Sequence, residues 1–131
     1  MSSAASNNTF DVAVVGLGPV GSLGAILFAE AGLRVVALEK QTDVWALPRA
    51  VNLDGEIIRA LQPAGLARPV QQLMQPLRQG ERAGFVNSKR EWLFGVDVRP
   101  IGSNGWQPAN MFDQPELDAF LRKTARCHPN V

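Results

Sequence analysis

A glycine-rich turn between an apolar strand and a helix constrains the fold of this chain more than any other feature. The short apolar run Val12–Val15 leads into Gly16, Gly18 and Gly21, which have the spacing G-x-G-x-x-G. The first glycine permits a tight turn, the second lets a pyrophosphate approach the backbone, and the third lets the helix pack closely on the sheet. The N-terminus of that helix would point free N–H groups at the phosphates. The turn therefore predicts a dinucleotide site.

The residues after the turn supply the setting that this motif requires. Apolar residues recur at helical spacing from Gly18 to Ala31, and Gly32 follows as the expected stop. Arg34–Leu38 is predicted to be a buried parallel strand that ends at Glu39. This acid lies 18 positions after Gly21, close to the roughly 20 expected for the acid that binds an adenosine ribose. The unit does not distinguish FAD from NAD, since both present an ADP half. The residues predicted to contact the dinucleotide here are Gly16, Gly18, Pro19, Val20, Gly21, Glu39 and Lys40.

Composition narrows the possible partners and chemistry. With 131 residues, 46% hydrophobic and 19% charged, the chain suits one compact domain with a real core. A formal net charge of +1 gives no strong field for nucleic acid or an anionic membrane, so neither partner is expected. Cys127 is the only cysteine, which excludes an internal disulfide and C-x-x-C metal binding. Residues 1–9 are small and polar, so we expect a disordered leader and a cytoplasmic protein.

The middle of the chain predicts short helices followed by a β-hairpin. Asn52 is the expected N-cap of a helix that turns Ile57, Ile58 and Leu61 inward and ends near Pro63, before Gly65. Residues 68–79 contain two prolines and predict one helical turn. From Glu81 to Val98 apolar residues alternate around a polar turn at 87–90, which predicts a hairpin. We expect its aromatic side chains to be core, with pocket lining as the alternative.

The last part of the chain predicts a loop and a long amphipathic helix. Residues 102–109 are expected to be loop, and Asp113 opens the helix in the manner of a capping box with Glu116. His128, Pro129 and Asn130 end it, and Val131 is expected to begin a further strand. The buried stripe of the helix is predicted to comprise Leu117, Phe120, Leu121 and Thr124.

Two further segments resemble the class A flavoprotein monooxygenases, which hydroxylate aromatic rings. Leu47–Ala50 with Asp54–Glu56 resembles the P-R-A loop and helix that follow the second strand in that family. Asn110–Leu117 resembles its later segment, in which a glutamine opens the helix that borders the flavin. Within the family, the 3-(3-hydroxyphenyl)propionate hydroxylase branch is most similar, since N-x-x-x-Q-P and a later P-N-V (129–131) stand in the same order.

This resemblance implies an α/β fold with a Rossmann-like FAD-binding βαβ domain of the glutathione-reductase type. It implies that the turn glycines hold the FAD pyrophosphate and Glu39 its adenosine ribose. Arg49 would reach the ribityl-phosphate side, where its guanidinium suits a phosphate, and Gln114 would bind near the ribityl chain. No catalytic residue is assigned: Asp54 and Glu56 are the nearest candidates for a base, but acids also favour a helix N-terminus for dipole reasons alone.

The resemblance also implies the reaction. NAD(P)H would reduce FAD, O2 would form a flavin C4a-hydroperoxide, and a small phenolic substrate would be hydroxylated, in a full-length protein that could be a homodimer. The later D-G and G-D signatures of the family are missing, so residues 10–131 are expected to be the N-terminal part of the FAD domain and inactive alone. The 81–98 hairpin would belong to the side of a substrate domain that is mostly absent. The alternatives are an NAD-dependent dehydrogenase and a non-catalytic nucleotide-binding remnant.

Overall fold

The structure, a computed structural model, describes residues 9–77, 80–99 and 101–131. The predicted leader, apart from Thr9, and the end of the 68–79 segment lie outside these ranges. The fold is mixed α/β. The chain divides into two compact units, one formed by the residues up to Trp45 with Asp118–Val131 and the other by Ala46–Leu117. Each unit is described by itself.

The first unit is built on two parallel strands joined by a helix. Strand β1 (Val12–Val15) pairs with β2 (Val35–Leu38), with Val12 opposite Val35 and Val15 opposite Leu38. Helix α1 (Pro19–Glu30) connects them, and Gly32 ends the connection with φ of +86°. The predicted parallel pairing and the predicted helix stop are confirmed, although Arg34 lies just outside β2.

Small side chains let α1 lie close to this strand pair. Ala25 and Ala29 of the helix are fully buried against Val35 of β2. Because alanine adds only one carbon beyond the backbone, the helix can approach the strands closely. The helix and the strands are then in direct van der Waals contact. The partly buried hydrophobic residues packed on the same cluster are Val12, Val14 and Val131. Val131 is anchored further because Asn130 accepts a hydrogen bond from the Val35 amide at 2.7 Å.

The second unit contains an antiparallel sheet whose strands are too short to be recognised by pattern. Strand β3 (Asn52–Leu53) and strand β4 (Met74–Pro76) both pair with β7 (Asn110–Phe112), which lies between them. Asn110 is almost fully buried, and its amide Nδ2 donates to the Leu53 and Gln107 carbonyls. A buried amide with these bonds ties the loop before β7 to β3, since an unsatisfied amide there would be costly.

Two short helices lie between β3 and β4, and they correct part of the prediction. Helix α2 (Gly55–Ala60) is capped by Asp54, whose carboxylate accepts from the Glu56 and Ile57 amides. The predicted N-cap, Asn52, is wrong because that residue is part of β3. The helix does end before Pro63, and Gly65 has φ of +69°.

The buried side of α2 also differs from the prediction. Ile58 and Leu61 are buried as expected, but Ile57 is 40% exposed, so its inward placement is wrong. Helix α3 (Ala67–Gln71) supplies the single predicted turn and buries Ala67 and Val70.

The predicted hairpin is confirmed, whereas the expected burial of its aromatic residues is wrong. Strand β5 (Arg82–Val86) pairs antiparallel with β6 (Trp92–Asp97). The Asn87 carboxamide oxygen accepts from the Lys89 and Glu91 amides and so holds the turn. The exposed large side chains of the hairpin are Phe85, Val86, Trp92, Leu93 and Phe94. A hairpin alone cannot cover both of its faces, and no described element covers these large side chains.

Helix α4 (Gln114–Cys127) is the last helix of the described residues. Asp113 accepts from the Glu116 amide at 3.0 Å, which confirms the predicted cap. Leu117 and Leu121 are buried as expected, but the buried face also includes Asp118, Arg122 and Ala125. None of the described helices is both long and apolar enough to cross a membrane.

Candidate functional site

The three glycines of the turn serve different purposes in the structure. Gly16 has φ of +92°, a left-handed conformation that side chains other than glycine rarely adopt. A Cβ added to Gly21 would lie 1.8 Å from the Gly16 carbonyl oxygen, so only glycine permits this approach of helix to strand. Gly18 is different, since its φ of −71° is ordinary and a Cβ there would meet no protein atom within 4 Å. The protein itself does not require glycine at position 18, which leaves open space above that backbone.

The N-terminus of α1 borders this open space and can attract an anion. Gly18 is the N-cap and makes no side-chain capping bond, and Pro19 is the first helical residue. The first turn carries no acidic side chain. The free N–H groups and the positive end of the helix dipole are therefore not neutralised by an acidic side chain of that turn. This arrangement suits a pyrophosphate.

Glu39, which follows β2, contacts the same turn. Its Oε2 accepts from the Leu17 amide at 2.7 Å, and its Oε1 accepts from the Gln41 amide at 2.8 Å. These hydrogen bonds, from Gln41 first and Leu17 second, lower the pKa of Glu39. The carboxylate is therefore ionised at neutral pH, and the lone pairs that remain can accept from ribose hydroxyls.

Arg122 of α4 completes this group of residues and was missed by the sequence analysis. Its Nε donates to the Leu17 carbonyl at 3.2 Å and its Nη1 to the Gln41 carbonyl at 3.2 Å, while Nη2 lies 3.7 Å from Oε2 of Glu39. The side chain is only 9% exposed. The available signal was its position beside Leu121 on the buried stripe, where an arginine is unusual.

A cleft of about 660 Å³ opens where β1 and β2 end. Val15 is 82% exposed there and Leu38 is 52% exposed, so apolar surface is available to a bound molecule. Lys40 lines the same cleft, and Val20, at the start of α1, is also exposed. The residues that line the cleft are Val15, Gly16, Leu38, Glu39 and Lys40. Crevices at the carboxyl ends of parallel strands are the usual ligand sites of such sheets.

These features of the first unit fit the ADP half of a dinucleotide. The unfilled space above Gly18 and the uncapped start of α1 suit the two phosphates, and the ionised Glu39 suits the ribose. Of the residues predicted for this part of the site, Gly16, Glu39 and Lys40 line the cleft, and the others lie at the start of α1, namely Gly18, Pro19, Val20 and Gly21.

The second unit contains the other two predicted site residues. Gln114 is buried, and its Oε1 accepts from the Arg49 amide at 2.8 Å and the Ala50 amide at 3.0 Å. Two backbone donors at one atom identify that atom as the oxygen and orient the side chain. Gln114 thus holds the Arg49 backbone directly, across 65 positions of sequence, while the Arg49 residue itself is exposed.

The positions of Asp54 and Glu56, the nearest candidates for a catalytic base, are explained by helix α2. Asp54 caps α2 and Glu56 lies in its first turn, where a carboxylate interacts favourably with the helix N-terminus.

A family profile and two curated proteins are similar to this chain. The profile of the FAD binding domain family matches residues 9–131. The chain is 32% identical over 128 residues to the 3-(3-hydroxy-phenyl)propionate/3-hydroxycinnamic acid hydroxylase of Klebsiella pneumoniae, covering 97% of this chain and 22% of that protein. It is 34% identical over 128 residues to a probable NADH-specific resorcinol 4-hydroxylase of Rhodococcus jostii, covering 97% of this chain and 23% of that protein.

A solved structure shows the same fold. The p-nitrophenol 4-monooxygenase of Pseudomonas putida superimposes with a TM-score of 0.77 at 27% identity, covering 92% of this chain and 30% of the other.

The chain thus spans about 22% of the length of the curated hydroxylases that it matches. The relatives confirm the resemblance to aromatic hydroxylases, and the family match confirms FAD as the predicted cofactor. Because the match extends over all the described residues, the chain belongs to the FAD binding domain family.

Proposed function

We propose that this chain forms part of the FAD site of an NAD(P)H-using monooxygenase that hydroxylates a phenolic aromatic compound. The observation that carries the proposal is the open space above Gly18 at the start of α1, with the ionised Glu39 beside it. Bound FAD would supply the electron transfer and oxygen activation that such hydroxylation needs.

In this proposal the first unit is a Rossmann-like βαβ element of the glutathione-reductase type. Gly16 and Gly21 shape the turn, and the backbone of Gly18 binds the pyrophosphate. Pro19 and Val20 start the helix that faces the phosphates, and Lys40 lines the cleft beside Glu39. Glu39 accepts from the adenosine ribose, for which its charge and its fixed orientation prepare it.

The flavin side of the cofactor is assigned to the second unit. Arg49 is exposed, and its guanidinium is a donor fork that matches phosphate oxygens. Gln114 uses its oxygen to hold the backbone at 49–50, so the group we assign to the ribityl chain is its Nε2 donor. The Gln114 side chain would thus position the backbone of Arg49 and Ala50 and contact the cofactor at the same time.

The substrate assignment comes from the relatives and from the hairpin. The two relatives above are named for hydroxylation of phenolic compounds. The exposed aromatic face of β5 and β6 is consistent with a hairpin that contributes to a substrate-binding region beyond the FAD domain. We therefore propose small phenols, O2 and NAD(P)H as the reactants.

The proposal is tested on the full-length protein that carries this sequence. The protein is purified and its absorbance spectrum is recorded for bound flavin. It is then supplied with NADH or NADPH, O2 and either 3-(3-hydroxyphenyl)propionate or resorcinol. We expect bound FAD and a product one oxygen atom heavier by mass spectrometry.

The same experiment separates the alternatives. Reduction of NAD by a substrate, without bound flavin or O2 consumption, would favour a dehydrogenase. Bound FAD without coupled NAD(P)H oxidation for any phenol would favour a non-catalytic binding module.

A further inference from the structure

We propose that Arg122 is a positioning residue of the FAD site, holding the Leu17 peptide and the Glu39 carboxylate in the orientations that FAD requires. The inference rests on the proposed roles of Gly18 and Glu39. It starts from a buried guanidinium that contacts three parts of the first unit: the glycine turn, the acid after β2 and the loop after that acid.

Arg122 first determines how the peptide between Leu17 and Gly18 is oriented. The Leu17 carbonyl accepts from Nε of Arg122 at 3.2 Å and from the Ser22 hydroxyl at 3.1 Å, so it points into the protein. In a trans peptide the carbonyl and the following N–H point in opposite directions. The Gly18 N–H is therefore directed away from Arg122, as a donor to an incoming phosphate must be.

The preceding peptide, between Gly16 and Leu17, is held by Glu39, the carboxylate that faces the same arginine. The Leu17 N–H donates to Oε2 of Glu39, the carboxylate oxygen nearest to Arg122. Arg122 thus acts on both polar groups of Leu17, directly on the carbonyl and through Glu39 on the amide. Removing it would release the turn at its central residue.

Arg122 also balances the charge of Glu39. A carboxylate next to a pyrophosphate would oppose the binding of that anion, and the arginine places a positive charge 3.7 Å from Oε2. At this distance there is no direct hydrogen bond, so the carboxylate keeps acceptor capacity for the ribose. The charge is supplied from within the protein without occupying the ribose side.

A lysine would reproduce only part of this role. The guanidinium donates to Leu17 and Gln41 in fixed directions while facing Glu39, which a single ammonium on a flexible stem cannot do. Arg122→Lys keeps the positive charge but loses the planar set of N–H donors, whereas Arg122→Gln loses both. Lys123→Gln is the matched control because it removes an exposed positive charge from the same helix, one residue from Arg122.

The experiment measures FAD binding by the full-length apoprotein and, separately, the melting temperature of each variant. We expect Arg122→Gln to weaken FAD binding by about tenfold to a hundredfold, as loss of charge-assisted hydrogen bonds does. Arg122→Lys should lie between Arg122→Gln and the unmodified protein, and Lys123→Gln should bind normally. Because part of the effect passes through Glu39, Arg122→Gln should cost less affinity in a Glu39→Ala background.

This double-mutant cycle of Arg122 and Glu39 separates a positioning role of Arg122 from a general loss of structure. Equal losses of affinity in both backgrounds, or normal affinity in Arg122→Gln, would overturn the inference. If Arg122→Gln does not fold, the same cycle with Arg122→Lys decides the question. An unmodified protein that binds no FAD would refute the site itself and this inference with it, whereas absence of hydroxylation with normal FAD binding refutes only the proposed reaction.

Discussion

Replacing Gly18 with alanine is expected to weaken FAD binding while leaving the fold intact. Gly18 has φ of −71° and ψ of −172°, which alanine adopts without strain, and the added Cβ meets no protein atom within 4 Å. The methyl group would instead occupy the space that we assign to the pyrophosphate. The variant therefore separates the needs of the cofactor from those of the fold.

The expected magnitudes follow from these contacts. Alanine is a poorer N-cap than glycine but restricts the unfolded chain, and these opposing effects of about 0.5–1 kcal/mol leave the free energy of unfolding within about 1 kcal/mol of its original value. Displacing the phosphate from backbone N–H donors costs about 1.5–3 kcal/mol, or roughly tenfold to a hundredfold in FAD affinity.

Two neighbouring glycines provide matched controls. In Gly21→Ala the Cβ would lie 1.8 Å from the Gly16 carbonyl oxygen, so the helix or strand must move. We expect a loss of stability of about 1–3 kcal/mol together with weaker FAD binding. Gly24 lies within α1 and a Cβ there meets no atom within 4 Å, so Gly24→Ala should gain about 0.5–1 kcal/mol without changing FAD affinity.

The assay pairs titration of each apoprotein with FAD, followed by flavin fluorescence, with urea unfolding of the same samples. Normal FAD affinity in Gly18→Ala would refute the reasoning, because the phosphate then does not approach that backbone. A loss of stability in Gly18→Ala as large as that in Gly21→Ala would refute it as well, since the open space at position 18 would not exist.

Further predictions concern two acids and the chain by itself. Glu39→Ala should weaken FAD binding about tenfold to a hundredfold without changing the circular dichroism spectrum, and unchanged affinity would remove Glu39 from the site. Backbone hydrogen bonds lower the pKa of Glu39, so FAD affinity should persist at neutral pH and fall only on acidification below the ordinary carboxyl range; a loss near neutrality would contradict this. Hydrogen bonds from Arg34 hold the pKa of Asp11 at about 2, below its ordinary value of 3.8. The stability from this pair is therefore present above the ordinary value and lost as the pH falls toward 2, so Asp11→Asn should show a flatter pH dependence of urea unfolding there, and parallel curves would argue against it. The 131-residue chain alone should yield no hydroxylated phenol with FAD and NAD(P)H, and a product detected by mass would show the opposite.

The sequence by itself was sufficient for the β1–α1–β2 unit because its parts are close along the chain. The apolar run, the three glycines, the helix and Glu39 lie between positions 12 and 39, and each leaves a local pattern. The cap at Asp113 and the hairpin were predictable for the same reason, since capping residues and strand alternation are short-range signals.

Other features were decided only by the tertiary structure. Strand β7 has three residues, too few to show a period, and it exists because β3 and β4 pair with it from distant parts of the chain. Alternation in the hairpin predicted strands but could not say which face is covered, and the aromatic face is exposed. Ile57 was predicted to be buried from helical spacing, but the neighbours of α2 determine which side is covered.

Arg122 shows the difference most clearly. It binds the Leu17 carbonyl across 105 positions of sequence, and its position beside Leu121 on the buried stripe was the one local sign that set it apart from Arg126 one turn later. Local sequence determines that both are on a helix. Only the packing of that helix against the glycine turn determines that one guanidinium is buried at the predicted cofactor site and the other faces solvent, because a hydrogen bond between distant residues depends on the fold that brings them together.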